Sequence, residues 1–236
     1  MNLFRYVWLL VSRTTHSVRA LAAAQREGVP DIAGGVYDEI PRQWARDLLR
    51  ATGITVRTLG AERLQSIGPC VYASNHVSFV DTWALVVALP GSVRFLAKRE
   101  LLRIPIFGAG IRLSGQIPID RARRDEAIGA VDEAALAIRA GKSAIVFVEG
   151  TRSRDGSLRP FKKGAFVLAI EAQVPLVPVF VSGAFERLPR GHIVPTPGEI
   201  TVRIGPPIST AGLTYDDRDA LLAETRVAME AMKREA

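Results

Sequence analysis

The sequence predicts an α/β domain, a mostly parallel sheet flanked by helices, with an amphipathic helical segment at its N-terminus. Three observations lead there. From residue 54 onward, apolar runs of strand length alternate with helix-length periodic stretches. Runs such as Ala144–Val148 are apolar throughout, as strands covered on both faces must be. The chain has 236 residues with 48% hydrophobic content, enough to build one large core.

The elements follow in order. Residues 1–26 carry four arginines and no acid, with Leu3, Val7, Leu10 and Val11 at helical spacing. Residues 28–41 are rich in Gly and Pro and read as a linker or long turn. Trp44 to Ala51 reads as a short helix ending near Gly53. The predicted division is therefore 1–50, a helical segment and linker, and 51–236, the α/β domain. Its strands are expected at 54–59, 70–74, 93–97, 116–119, 143–148, 176–181 and 199–204. Its helices are expected at roughly 79–89, 104–113, 124–140, 163–172 and 215–235.

Composition narrows the partners. A net charge of +7, from 31 basic against 24 acidic residues, suits an anionic partner. The longest unbroken apolar run is seven residues, Trp83–Leu89, whereas a spanning helix needs roughly 18 or more. The opening segment lacks a clean signal-type apolar region, since Arg5 interrupts it. The one cysteine, Cys70, excludes an intrachain disulfide and suggests a reducing compartment.

Four stretches carry chemistry. In YASNHVSFVDTW (72–83), His76 falls just past a strand and Asp81 in the first turn of the next helix. Catalytic groups of open α/β sheets gather at that edge. An aspartate there can hold one imidazole nitrogen protonated and leave the other free to take a proton; the same pair would also serve as a simple turn lock. In EGTRSRDGSLRPFKKG (149–164), Gly150 permits close backbone approach and Arg152 with Arg154 can fork a phosphate; its composition also fits a polar surface loop. Residues 94–124 hold eight basic residues and two acids, with Lys98 and Arg121 again at strand ends. VPLVPV (174–179) has no titratable group and reads as strand and apolar wall. The dinucleotide glycine loop, P-loop, nucleophile elbow and zinc motifs do not occur; the basic charge alone would also suit nucleic acid, which is not the partner expected here.

Together these stretches resemble the glycerolipid acyltransferase family, and within it the 1-acylglycerol-3-phosphate acyltransferases. Asn75, His76 and Asp81 match its Asn-His-x-x-x-x-Asp motif. Lys98, Leu101, Pro105, Gly108, Gly115, Ile117, Ile119, Asp120 and Arg121 match its second motif. Residues 147–153 match Phe-Pro-Glu-Gly-Thr-Arg-Ser except that Val148 stands in place of proline, and 174–179 match Val-Pro-x-x-Pro-Val. The likeness spans about residues 53–207.

The resemblance implies a glycerol-3-phosphate acyltransferase-like fold. It implies acyl transfer from an acyl thioester (acyl-CoA or acyl-carrier protein) to the free sn-2 hydroxyl of 1-acylglycerol-3-phosphate, giving phosphatidic acid. His76 would be the general base and Asp81 its orienting partner. Asn75, Lys98, Arg121, Glu149, Gly150, Thr151 and Arg152 would bind substrate, and no metal or redox cofactor is implied. Other acceptors, such as lyso-ornithine lipid, stay open, as do a lipid hydrolase and a non-catalytic lipid-binding module. An amphiphilic substrate implies an anionic membrane surface as partner. The apolar face of residues 3–24 (Leu3, Phe4, Val7, Trp8, Leu10, Val11), with Arg5, Arg13 and Arg19 beside it, is expected to lie in that interface. The expected location is the cytoplasmic face of a membrane, peripheral or monotopic.

Overall fold

Alternation along each strand sorts the core into two faces, because successive side chains on a strand point to opposite sides. The computed structural model describes residues 1–119 and 124–235. In chain order its first half comprises α1 (Leu3–Arg26), α2 (Val36–Thr52), β1 (Ile54–Leu59), β2 (Val71–Ser74), α3 (Asp81–Ala88), β3 (Val93–Lys98), α4 (Phe107–Leu113) and β4 (Ile117–Ile119). There follow α5 (Arg124–Arg139), β5 (Ser143–Phe147), α6 (Gly164–Ala172), β6 (Leu176–Ser182), α7 (Ala184–Arg187), β7 (Gly198–Ile204) and α8 (Arg218–Arg234). Among the described residues these strands form a seven-stranded sheet in the order β1-β7-β6-β2-β5-β3-β4. Every pairing is parallel except β6 with β7.

On one face, Tyr72, Ile145, Phe147, Val177, Val179 and Ile200 pack under helices α2 and α3, joined by Tyr6 of α1. On the other, Val71, Ala73, Ala144, Val146 and Leu176 pack under α5, α6 and α8. The result is three layers, helices over sheet over helices. Each fully buried aliphatic side chain contributes about 1.5–3 kcal/mol. Residues on both sides of position 50 share the first cluster: Tyr6, Ala45 and Leu48 lie with Trp83 and Leu85.

Three sequence expectations change. The stretch 28–41 is not a linker throughout, since α2 already begins at Val36 and carries Pro41 inside it. The Gly-Gly and Pro signals obscured its periodicity of Tyr37, Trp44, Ala45, Leu48 and Leu49. A salt-bridge cluster fixes its start. Arg94, 1% exposed, donates to Asp38 at 2.6 Å and to Asp31 at 2.9 Å. Ser92 and the Gly34 amide also bond Asp38, and Lys142 pairs with Asp31. Asp38 sits in the first turn of α2, where the helix dipole favours a carboxylate.

The second change concerns α1. Leu10 does not share the open face; it packs against the core beside Leu9. Phe4 at 78% and Trp8 at 65% exposure, with Leu3, Val7 and Val11, point outward. Helix α1 thus has two apolar faces, one docked and one bare. No described helix is long and apolar enough to cross a membrane.

The helix expected at 104–113 is shorter, because residues Arg99–Arg103 form a 3-10 turn before α4. Gly108 belongs there for a steric reason: a Cβ would sit 2.2 Å from the Leu102 carbonyl oxygen.

Candidate active site

The loop after β2 holds the site, and its first residue is tied into the sheet. Asn75, 2% exposed, donates from Nδ2 to the Val181 carbonyl at 2.9 Å and accepts the Val181 amide on Oδ1 at 2.7 Å. Its side chain therefore continues the β2–β6 ladder beyond Ser74 and braces the turn at His76. The structure places Asn75 in the sheet and not on a cavity wall.

His76 comes next, held from three directions. Asp81 Oδ2 accepts Nδ1 of the ring at 2.9 Å, and the same oxygen accepts the Val77 and Ser78 amides at 2.8 Å each. Asp81 is fully buried at the start of α3. The five-residue spacing is what lets a carboxylate at the helix start reach back to both the ring and the turn's backbone. In the tautomer whose Nδ1–H donates to Asp81, the ring presents Nε2 as its acceptor. Beneath the ring lies Phe147, stacked with centroids 3.7 Å apart and planes at 12°, with Phe95 stacked 5.8 Å beyond it. Phe147, known from the sequence only as a motif letter, is thus the floor under the imidazole.

The loop after β5 fixes the backbone of His76. Glu149, 3% exposed, accepts the His76 amide on Oε1 at 2.8 Å and the Arg159 amide on Oε2 at 2.9 Å. Burial pushes its carboxyl up from the ordinary value, against the lowering by those two amides. The Ser153 amide donates to the His76 carbonyl at 2.8 Å. Asp155 accepts from Ser153 and from Ser157, which pull its carboxyl down to about 2 and knot the loop. Val148 departs from the motif's proline and uses the amide that proline lacks, donating to the Ser74 carbonyl at 3.0 Å. Gly150 turns the chain at φ 72°, a left-handed conformation that favours glycine.

A cavity of about 370 Å³ opens beside His76. Its polar end is formed by His76, Lys98, Gly150, Thr151 and Arg152. The remainder is mostly apolar, walled by Val18 and Leu21 of α1, Trp44 of α2, Phe79, and Phe107 and Ile111 of α4, with Thr14, Ser17, Thr82, Ser114 and Gln116 among them. Trp44 is held by donating to Thr14 at 3.0 Å. Lys98 stands at the rim, paired with Glu100 at 3.1 Å. Arg154 is exposed and does not line this cavity, so the fork with Arg152 is not formed here. Asp120 and Arg121 lie outside the described residues. Sequence reasoning missed that α1 and α2 wall the cavity; the inner stripe of Thr14, Val18 and Leu21, spaced by three or four, is the signal that could have shown it for α1.

An imidazole at the carboxyl end of the sheet, backed by a buried carboxylate and facing an apolar slot with a cationic rim, suits chemistry on an amphiphile carrying an anionic group. The chain belongs to the acyltransferase family, whose model, described as Acyltransferase, matches residues 55–182. It is 40% identical over 184 residues to 1-acyl-sn-glycerol-3-phosphate acyltransferase alpha of Homo sapiens, covering 78% of this chain. It is 36% identical over 196 residues to the putative 1-acyl-sn-glycerol-3-phosphate acyltransferase acl-2 of Caenorhabditis elegans, covering 78% of this chain and 70% of that protein. The chain spans 65% of the length of the human relative. In fold it is similar to the crystal structure of the 1-acyl-sn-glycerophosphate acyltransferase PlsC from Thermotoga maritima. The TM-score is 0.74 at 23% identity, over 99% of this chain and 97% of that one.

Proposed function

We propose that this protein transfers a fatty acyl group from an acyl thioester to the free sn-2 hydroxyl of 1-acylglycerol-3-phosphate, giving phosphatidic acid. One observation carries the reading: His76, its Nδ1 engaged by Asp81, lines the wall of an apolar cavity with a cationic end. An alcohol attacks poorly until a base takes its proton. Here Nε2 of His76 takes the hydroxyl proton as the oxygen attacks the thioester carbonyl. The C–S bond then breaks, and the departing thiolate receives that proton from the imidazolium, so the base is restored. Asp81 orients the ring and stabilises the imidazolium, and no covalent acyl-enzyme is needed. The apolar part of the cavity takes a fatty chain. Arg152 and Lys98 hold the acceptor's phosphate, with Arg121 assigned the same role from the sequence alone. Incubating purified protein with labelled acyl-CoA or acyl-carrier protein and this acceptor tests the reading; labelled phosphatidic acid is the expected product.

Arg152→Ala is expected to weaken acceptor binding more than donor binding. A charge-assisted contact to phosphate contributes about 1.5–3 kcal/mol, roughly a 10- to 150-fold rise in acceptor KM. Steady-state kinetics with each substrate varied decides this. A raised donor KM with the acceptor KM unchanged would reassign Arg152 to the phosphates of CoA.

The bare face of α1 seats the protein on an anionic bilayer, on the cytoplasmic side, with the cavity fed from the lipid. Phe4, Trp8 and Val11 insert, while Arg5 and Arg19 meet headgroups at about 1 kcal/mol each. Deleting residues 1–26 is a poor test, since it would also remove Tyr6 from the core and Leu21 from the cavity wall. The double variant Phe4→Ser, Trp8→Ser leaves the docked face intact. It should lose most flotation with anionic liposomes and keep its melting temperature; unchanged flotation would remove this role from α1.

A further inference from the structure

We infer that Glu149 is a positioning residue for His76 and not a ligand of the acceptor. This rests on the reading of His76 as the base. The placement of the carboxylate carries the inference. It is buried at 3% exposure, and it is absent from the cavity lining although its neighbours Gly150, Thr151 and Arg152 are present. Each of its oxygens is taken by a backbone amide, one from His76 and one from Arg159. Those amides belong to two separate loops, the one after β2 and the far limb of the one after β5. Bridging two N–H donors requires a group that accepts at both ends. A carboxylate does so; a glutamine would turn an NH₂ toward one of the amides.

The same β5 loop also grips His76 from the other side, through the Ser153 amide on its carbonyl. With N–H and C=O both fixed, the residue's backbone has one position, and Asp81 then needs only to set the ring. Loss of the Glu149 bridge frees the loop carrying the base relative to Phe147 and the cavity. Misplacing a reacting group by about 1 Å can cost on the order of 10²-fold in rate. Substrate binding, made by other groups, is untouched.

The test is the kinetic split in Glu149→Gln, with thermal melting as the check on folding. The expected result is a kcat lowered about tenfold or more, with acceptor and donor KM within about twofold of wild type. In the His76→Ala background the glutamine should add no further loss, since it acts through the missing imidazole. A raised acceptor KM with kcat preserved would overturn the inference, as would an equal further loss in the His76→Ala protein. Should the glutamine variant fail to melt cooperatively, Glu149→Asp is read by the same split, because it keeps both oxygens and shortens their reach. Full activity of His76→Ala alone would instead overturn the base reading, and the inference with it.

Discussion

His76→Ala is expected to lower acyl transfer by roughly 10²–10⁴-fold, the range a general base contributes. The substitution should leave the fold in place. The ring is only partly buried, its partner Asp81 keeps two backbone amides, and Phe147 loses one stacking neighbour. Substrate KM values should therefore change little while kcat falls. Retention of more than a few per cent of activity, in protein that melts like wild type, would remove the base role.

The second large effect is at Asp81, where two substitutions should differ. Oδ2 accepts three hydrogen bonds, while Oδ1 is buried and has no partner among the described residues. Asp81→Asn can keep its oxygen at the Oδ2 position and turn its NH₂ to the Oδ1 side. The turn then survives, but the negative charge that stabilises the imidazolium is gone, so kcat should fall by at least about 10²-fold. Asp81→Ala leaves the Val77 and Ser78 amides and the ring N–H unsatisfied. Each such orphaned group costs about 1–3 kcal/mol, so this variant should lose activity and also melt at a clearly lower temperature. Kinetics and melting of both variants check the pair. If asparagine destabilised as much as alanine, the three-donor oxygen would not be what holds this turn.

The central strands were legible because burial on both faces leaves continuous apolar runs, as in β5, buried at every position from Ser143 to Phe147. Helix α2 was partly hidden: Gly34, Gly35 and Pro41 signal a break, and its start depends on Asp38 meeting Arg94, 56 residues away. The bond from His76 to Asp81 could be read from spacing, since both lie in one turn. The roles of Asn75 and Glu149 could not, because their partners are 106 and 73 residues distant. Both looked like substrate ligands from the motif and are found satisfied by backbone. The cavity was hidden for a related reason: it is walled by α1 and α2, and the inner stripe of α1 does not say which element it packs against.

The central claim is that His76 activates a lysolipid hydroxyl and not water. The most direct measurement follows one labelled acyl group from its thioester into products, with purified protein, both donor types and a panel of acceptors that includes lyso-ornithine lipid. The label should appear at the sn-2 position of phosphatidic acid, be carried most efficiently by 1-acylglycerol-3-phosphate, and vanish from that product in His76→Ala. Label released mainly as free fatty acid in the presence of saturating acceptor, or transfer unaffected by His76→Ala, would contradict it.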